Sequence, residues 1–195
     1  EEEVEKKIFG LARSKLEPPG WLIKTRPGKS GAGVPCAMWS DWHLGEVVKS
    51  AEINGINEFN LDIAETRIKR LVERTVDLAK NHMTGADYPG IVVNINGDIV
   101  SGEIHDELKD TNEDEIYAVV LWAVERIVWG LRALGEQFGR VYVVSTFGNH
   151  GRQDRKPRAK TRAKRNADWL IGRLVHSHLK DDKRFDWNIP LSGDA

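Results

Sequence analysis

Three short polar clusters in this 195-residue chain each follow an apolar run of strand-forming residues. Ser40-Asp41-Trp42-His43 follows residues 34–39, Gly97-Asp98 follows 91–96, and Gly148-Asn149-His150 follows 141–147. In an open α/β sheet, loops at the carboxyl ends of strands converge on a ligand cleft. What would converge here is two carboxylates, two imidazoles and one carboxamide. That mixed oxygen and nitrogen set suits Mn, Fe(II), Zn or Co better than Mg or Ca alone. Two such ions about 3.5–4 Å apart clamp a phosphate, activate a water and stabilise an in-line displacement. Asp41 and His43 leave the same face of an extended segment and can reach one ion. Asp98 can bridge two ions, and Asn149 adds a neutral carbonyl oxygen.

These loops need elements to hold them. Leu61, Ala64, Ile68, Leu71, Val72, Thr75, Leu78 and Ala79 recur at helical spacing until Gly85 and Pro89. A second helix is predicted over 113–134, with one stripe through Ile116, Val119, Val120, Ala123, Val124, Ile127, Leu131 and Leu134. Trp122 and Trp129 add another apolar line, which calls for cover on more than one side. A third helix over 161–179 is expected to be buried through Ala167, Leu170, Ile171 and Leu174. Phe185 to Ile189 reads as a strand and Trp21 to Thr25 as an earlier one; residues 3–16 read as a short helix ended by Pro18-Pro19-Gly20. Strand and helix alternate, which predicts an α/β fold with largely parallel strands joined by right-handed crossovers. Residues 1–33 form an N-terminal extension and 34–195 the main domain. The Gly-Lys-Ser within 28–33 is not a phosphate-binding loop: Ile23 stands where its first glycine belongs, and a strand follows instead of a helix.

A hydrophobic content of 40% with 30% charged residues describes a soluble globular chain long enough to bury a core. The net charge of -1 commits the whole chain to neither nucleic acid nor membrane. Arg152 to Arg165, however, holds eight basic residues against one acid, Asp154. The single cysteine, Cys36, cannot pair internally, which favours a reducing compartment, and its place in a strand predicts a small buried hydrophobe. With no run of about 20 apolar residues and no leader-like start, no membrane is expected and the cytoplasm is the predicted location.

In order and context, the three clusters resemble the signatures Asp-x-His, Gly-Asp and Gly-Asn-His of the calcineurin-like metallophosphoesterases. The string Ser40-Asp41-Trp42-His43-Leu44-Gly45 is similar to the nuclease subunits of double-strand-break repair complexes. The resemblance implies a sandwich of mixed β-sheets flanked by helices, with two divalent metal ions, Mn first and Fe, Zn or Co as substitutes. Asp41, His43 and Asp98 would hold one ion, and Asp98 and Asn149 the other. His150 would contact the phosphate and protonate the leaving oxygen. The implied substrate is a phosphodiester, with DNA preferred. A phosphomonoesterase or nucleotidase is one alternative, and a non-catalytic nucleic-acid-binding scaffold that keeps the fold is another.

The sequence departs from the family pattern in three places. Asp98 is followed by Ile99-Val100-Ser101-Gly102-Glu103 with no second Asp, and Gly151-Arg152 stands where an acid usually closes the third signature. Arg152 could clamp a phosphate bidentately, with Arg155, Lys156 and Arg158 as further substrate-binding cations and a salt-sensitive affinity. The later Gly-His and Gly-His-x-His signatures are absent. His176-Ser177-His178 falls in a predicted helix, where residues two apart point about 200° away from each other. His178 is therefore read as a half-buried structural histidine, His82 as a helix C-cap, and His105 as a lesser candidate for the cleft. Asp168, near a helix start, is expected to pair with a neighbouring base. With two donors counted for the second ion, a missing C-terminal segment or another chain is expected to complete the metal site. The sandwich is then incomplete, and one apolar sheet face is exposed.

Overall fold

The structure, a computed structural model, describes residues 18–23, 33–83, 87–158 and 160–190. Four strands, β1 (Cys36–Trp39), β2 (Ile91–Ile95), β3 (Val141–Ser145) and β4 (Phe185–Asn188), lie side by side in chain order and pair only in parallel. The helices are α1 (Gly20–Ile23), α2 (Leu61–Asp77), α3 (Asp106–Thr111), α4 (Ile116–Phe138) and α5 (Ala167–Leu179). The expected α/β fold with a parallel sheet flanked by helices is what forms. The described strands are all parallel, not mixed, because each pair is joined by a helical crossover that returns the chain in the same direction. Among the described residues no helix is long and apolar enough to cross a membrane.

Each crossover steps the same way across the sheet, so crossovers of one hand place α2, α4 and α5 on one face. There α4 packs between α2 and α5. The buried core runs from Trp39, Ile91, Val93, Ile95, Val141 and Val143 on the sheet to Ala123, Ile127, Leu131 and Leu134 of α4. Strand burial alternates in β1 and β2, as it must when helices cover one side.

The other face carries Cys36, Met38, Val92, Asn94, Tyr142 and Val144 in register. Met38 is 56% exposed, and the Asn94 amide donates to Cys36 Sγ and Met38 Sδ, both at 3.2 Å. Cys36 is thus exposed and not the buried hydrophobe expected, because alternation from Ala37 and Trp39 turns it away from the helices. Only Cys36 and Met38 are exposed on this face; Tyr142 is buried, Val92 and Val144 are half-buried, and Asn94, Asp186 and Asn188 make it partly polar. The apolar face expected to be exposed is therefore so only at the β1 edge among the described residues. At one end Trp21 crosses it, its indole donating to Asp186 Oδ2 at 2.8 Å. Trp21 belongs to a helical turn and not to the predicted strand. The Leu22 N–H bonds the Pro19 carbonyl at 2.9 Å, and prolines suit the start of a helix. The helix predicted over 3–16 and most of the glycine-rich loop lie outside the described residues.

Helix ends follow local chemistry. Asn60 caps α2 by accepting from the Ile63 N–H at 2.9 Å. Gly139, at φ 74°, stops α4 four residues beyond the predicted Leu134. α5 begins at Ala167 and not Thr161, because Asn166 caps it after a 3₁₀ turn at Ala163–Arg165. The buried stripes are narrower than expected: Leu78, Trp129 and Leu170 are exposed. Trp122 is half-buried and covered by the Arg126 guanidinium 4.2 Å above its ring, in place of a second protein layer. His178 is exposed because the buried stripe of α5 runs through Ile171, Val175 and Leu179. The half-buried histidine is His176, edge-on to Trp187 at 5.2 Å. His82 closes a π turn after α2, with Nε2 3.6 Å from Asp77 Oδ2.

Candidate functional site

Beyond the strands, the first two polar clusters are joined by backbone hydrogen bonds. The N–H groups of Asp41, His43 and Leu44 donate to the carbonyls of Gly97, Asp98 and Ile99 at 3.2, 3.1 and 2.8 Å, and the Ser101 N–H returns to Leu44 at 2.9 Å. Asp41, His43 and Asp98 all have left-handed backbone, with φ of 56°, 46° and 50°. Asp41 and His43 therefore do not sit in an extended segment, and strand alternation does not set their directions. Three non-glycine residues held this way, at a cost on the order of 1–3 kcal/mol each, are a pattern found at functional sites.

The third cluster packs onto the second. The His150 N–H donates to Asp98 Oδ1 at 2.7 Å. The motif glycines are required by this approach: a Cβ on Gly97 would lie 1.9 Å from the Gly148 nitrogen, and one on Gly148 would lie 2.2 Å from Asp98 Oδ1. His150 Nδ1 is 2.9 Å from the Ser101 carbonyl oxygen. A carbonyl only accepts, so Nδ1 carries a hydrogen and Nε2 is the nitrogen left for other work. The His43 ring meets His150 edge-on at 4.5 Å, and His105 stands 6.1 Å from it, which brings that lesser candidate to the site.

Asp168 ties the second and third clusters together, a role the sequence did not disclose. At 1% exposure, it accepts from the N–H groups of Asp98 and Gly148 through Oδ2 (2.9 and 3.0 Å) and of Ile99 through Oδ1 (3.1 Å). Its partners are backbone amides and not the base expected, because capping by Asn166 aims the first turn of α5 at the strand ends. Asn166 Oδ1 accepts from the Asp168 N–H at 2.8 Å, and its amide donates to the Gly148 carbonyl at 2.9 Å. Burial raises the Asp168 carboxyl to about 6, against the three N–H donors that lower it, and the nearby Asp98 charge adds to the rise.

The basic segment is less free than its composition suggests. Arg152 donates to the carbonyls of Asp154 and Arg155, both at 2.9 Å, so it organises its own loop instead of offering an open clamp. Arg155 is ion-paired with Asp106. Arg165 grips both oxygens of Asp154 at 2.7 and 3.0 Å, and Arg158 reaches the same carboxylate at 3.3 Å. Those guanidinium groups hold the Asp154 carboxyl below its ordinary value, Arg165 foremost. Asn149 is exposed and shares a cavity of about 360 Å³ with Phe147, Lys156, Arg158 and Arg162.

Carboxylates and imidazoles, the side chains at Asp41, His43 and Asp98, are of the types that divalent cations take as ligands. Among the described residues, however, no three Asp, Glu, His or Cys side chains are grouped as a metal site. Comparison with protein-family models, curated proteins and solved structures gives no match.

Proposed function

We propose that this chain carries the centre of a two-metal phosphoesterase of the calcineurin-like kind, acting on phosphodiesters, with DNA the preferred substrate. One observation supports this most: Asp98, after β2, accepts from the His43 N–H through its backbone carbonyl and from the His150 N–H through its carboxylate, so three strand ends meet at one residue. In this reading Asp41, His43 and Asp98 hold one ion, and Asp98 with Asn149 holds part of the other shell, completed from another segment or chain. Mn is the first choice, with Fe, Zn or Co able to substitute. When bound, the ions polarise the phosphate and make a water nucleophilic near neutral pH. His150, its Nδ1–H held by Ser101, would as the doubly protonated imidazolium aim an Nε2–H at the phosphate, give that proton to the leaving oxygen and be left as the neutral ring with its hydrogen on Nδ1. A second sheet laid over Met38 and Cys36 would complete the family sandwich. The lone cysteine suits the cytoplasm.

Calorimetric titration with Mn and hydrolysis of bis-p-nitrophenyl phosphate test this. Binding is expected, with Asp98→Asn lowering the rate at least about a hundredfold. No Mn binding, or a rate indifferent to Asp98→Asn, sinks it. Faster turnover of p-nitrophenyl phosphate would favour the monoesterase alternative. The ungrouped donor side chains favour a second reading, a non-catalytic nucleic-acid-binding scaffold, which would bind oligonucleotide without hydrolysing either compound.

A further inference from the structure

We infer that the cavity beside Asn149 is a subsite for a second phosphate of a single polynucleotide strand, next to the phosphate handled by Asn149 and His150. This rests on the phosphoesterase reading of the site and adds to it a contact beyond the reacting phosphate and a single-stranded form of the substrate.

The cavity is lined by five cations, Arg152, Lys156, Arg158, Arg162 and Arg165, against one carboxylate, Asp154. Most of that charge is already engaged: Asp154 takes Arg165 and Arg158, and loop carbonyls take Arg152. Two of the five, Lys156 and Arg162, make neither an ion pair nor a side-chain hydrogen bond among the described residues, whereas Arg152 is held by its loop carbonyls. The Arg162 guanidinium lies 5.2 Å above the Phe147 ring, which holds its plane at the cavity wall directly before the Gly148-Asn149-His150 turn. Phe147 also offers an apolar surface of the sort on which sugars and bases rest in single-strand grooves.

Size and charge separate the candidate ligands. About 360 Å³ falls within the range of pockets for drug-sized ligands, far more than a lone phosphate needs. A monoester brings one phosphate, which the metal donors and His150 would occupy, leaving Lys156 and Arg162 without a counter-charge. A strand brings a phosphate at every step, and neutralising one in this cavity releases a counterion.

The test is fluorescence anisotropy of a labelled eight-nucleotide oligothymidylate on the full chain, in EDTA, over a range of salt. Lys156→Ala and Arg162→Ala are each expected to weaken binding about three- to tenfold and to reduce the log–log salt slope by about 0.7. Both residues are exposed, so the variants should keep the wild-type circular dichroism spectrum, while Lys183→Ala on the β4 side leaves affinity unchanged. Wild-type affinity in both cavity variants, or an equal loss in Lys183→Ala, overturns the subsite. Binding that depends on Lys156 and Arg162 in a chain that hydrolyses nothing supports the subsite and overturns the phosphoesterase reading. Metal-dependent hydrolysis by a chain whose oligonucleotide affinity ignores both residues does the reverse.

Discussion

Replacing Asp168 with Asn removes a buried charge at nearly constant shape, and two opposing effects can be sized from its contacts. A carboxyl presents two oxygens whether or not it is protonated; an amide presents one. With that oxygen in the Oδ2 position, the Asp98 and Gly148 N–H groups keep their acceptor and the Ile99 N–H loses its own. One stranded buried N–H costs about 1–3 kcal/mol. The opposing effect is the carboxylate's own burial. Its pKa rises from 3.8 to about 6 on folding, so between those values the folded chain holds more protons than the unfolded one. Stability from this group is complete below the unfolded value and is lost as the pH climbs through 6. At about 1.36 kcal/mol per pH unit of difference, the decline is about 3 kcal/mol. The Asn variant has no such decline. Urea unfolding of both proteins in metal-free buffer should find the variant about 1–3 kcal/mol less stable near pH 4, with the deficit closing or reversing by pH 7. Stability curves that stay parallel from pH 4 to 7 would refute the assignment of a strained, buried carboxylate.

Two further substitutions probe the crowding around the site and the core beneath it. Gly148→Ala places a methyl group 2.2 Å from Asp98 Oδ1 and 2.6 Å from the Asp98 nitrogen, so the carboxylate must move. Mn affinity should fall about 10- to 100-fold and stability by about 1–3 kcal/mol, read by calorimetry and thermal unfolding; wild-type Mn affinity would show that Asp98 is not a ligand. Trp39→Ala should cost about 3–5 kcal/mol in urea unfolding, since Trp39 is fully buried beneath Gly130 and Val72. Trp39→Phe should cost clearly less, because the indole N–H has no partner to lose among the described residues; equal losses would contradict that.

What the sequence disclosed and what it hid divide along the range of the interactions concerned. The strands β1 to β3 and the helices α2 and α4 were legible because period-two and period-3.6 apolar patterns are local. So were the three clusters at the strand ends, since each follows its own strand directly. The exposure of Cys36 was not, because it depends on which face the crossovers cover, and that follows from the order of strands in the sheet. Arg152 and Arg155 read as free cations because their partners are loop carbonyls and Asp106, 49 positions from Arg155. Asp168 reads as an ordinary first-turn acid; its acceptor role spans 70 positions to Asp98 and 20 to Gly148.

The same division explains why the motif residues carry left-handed backbone at all. Parallel strands of an α/β sheet end at one edge, and three loops leaving β1, β2 and β3 must share the space above it. Crowding there excludes side chains at Gly97 and Gly148 and leaves the donors at Asp41, His43 and Asp98 little freedom to relax. Strain of about 1–3 kcal/mol per residue persists only where surrounding bonds over-determine the conformation. Here those bonds come from neighbouring loops and from Asp168 on a helix that follows all three. Loosening Asp168 should therefore disturb donors it never touches, His43 and His150 among them, whereas trimming Arg152, bound within its own loop, should not.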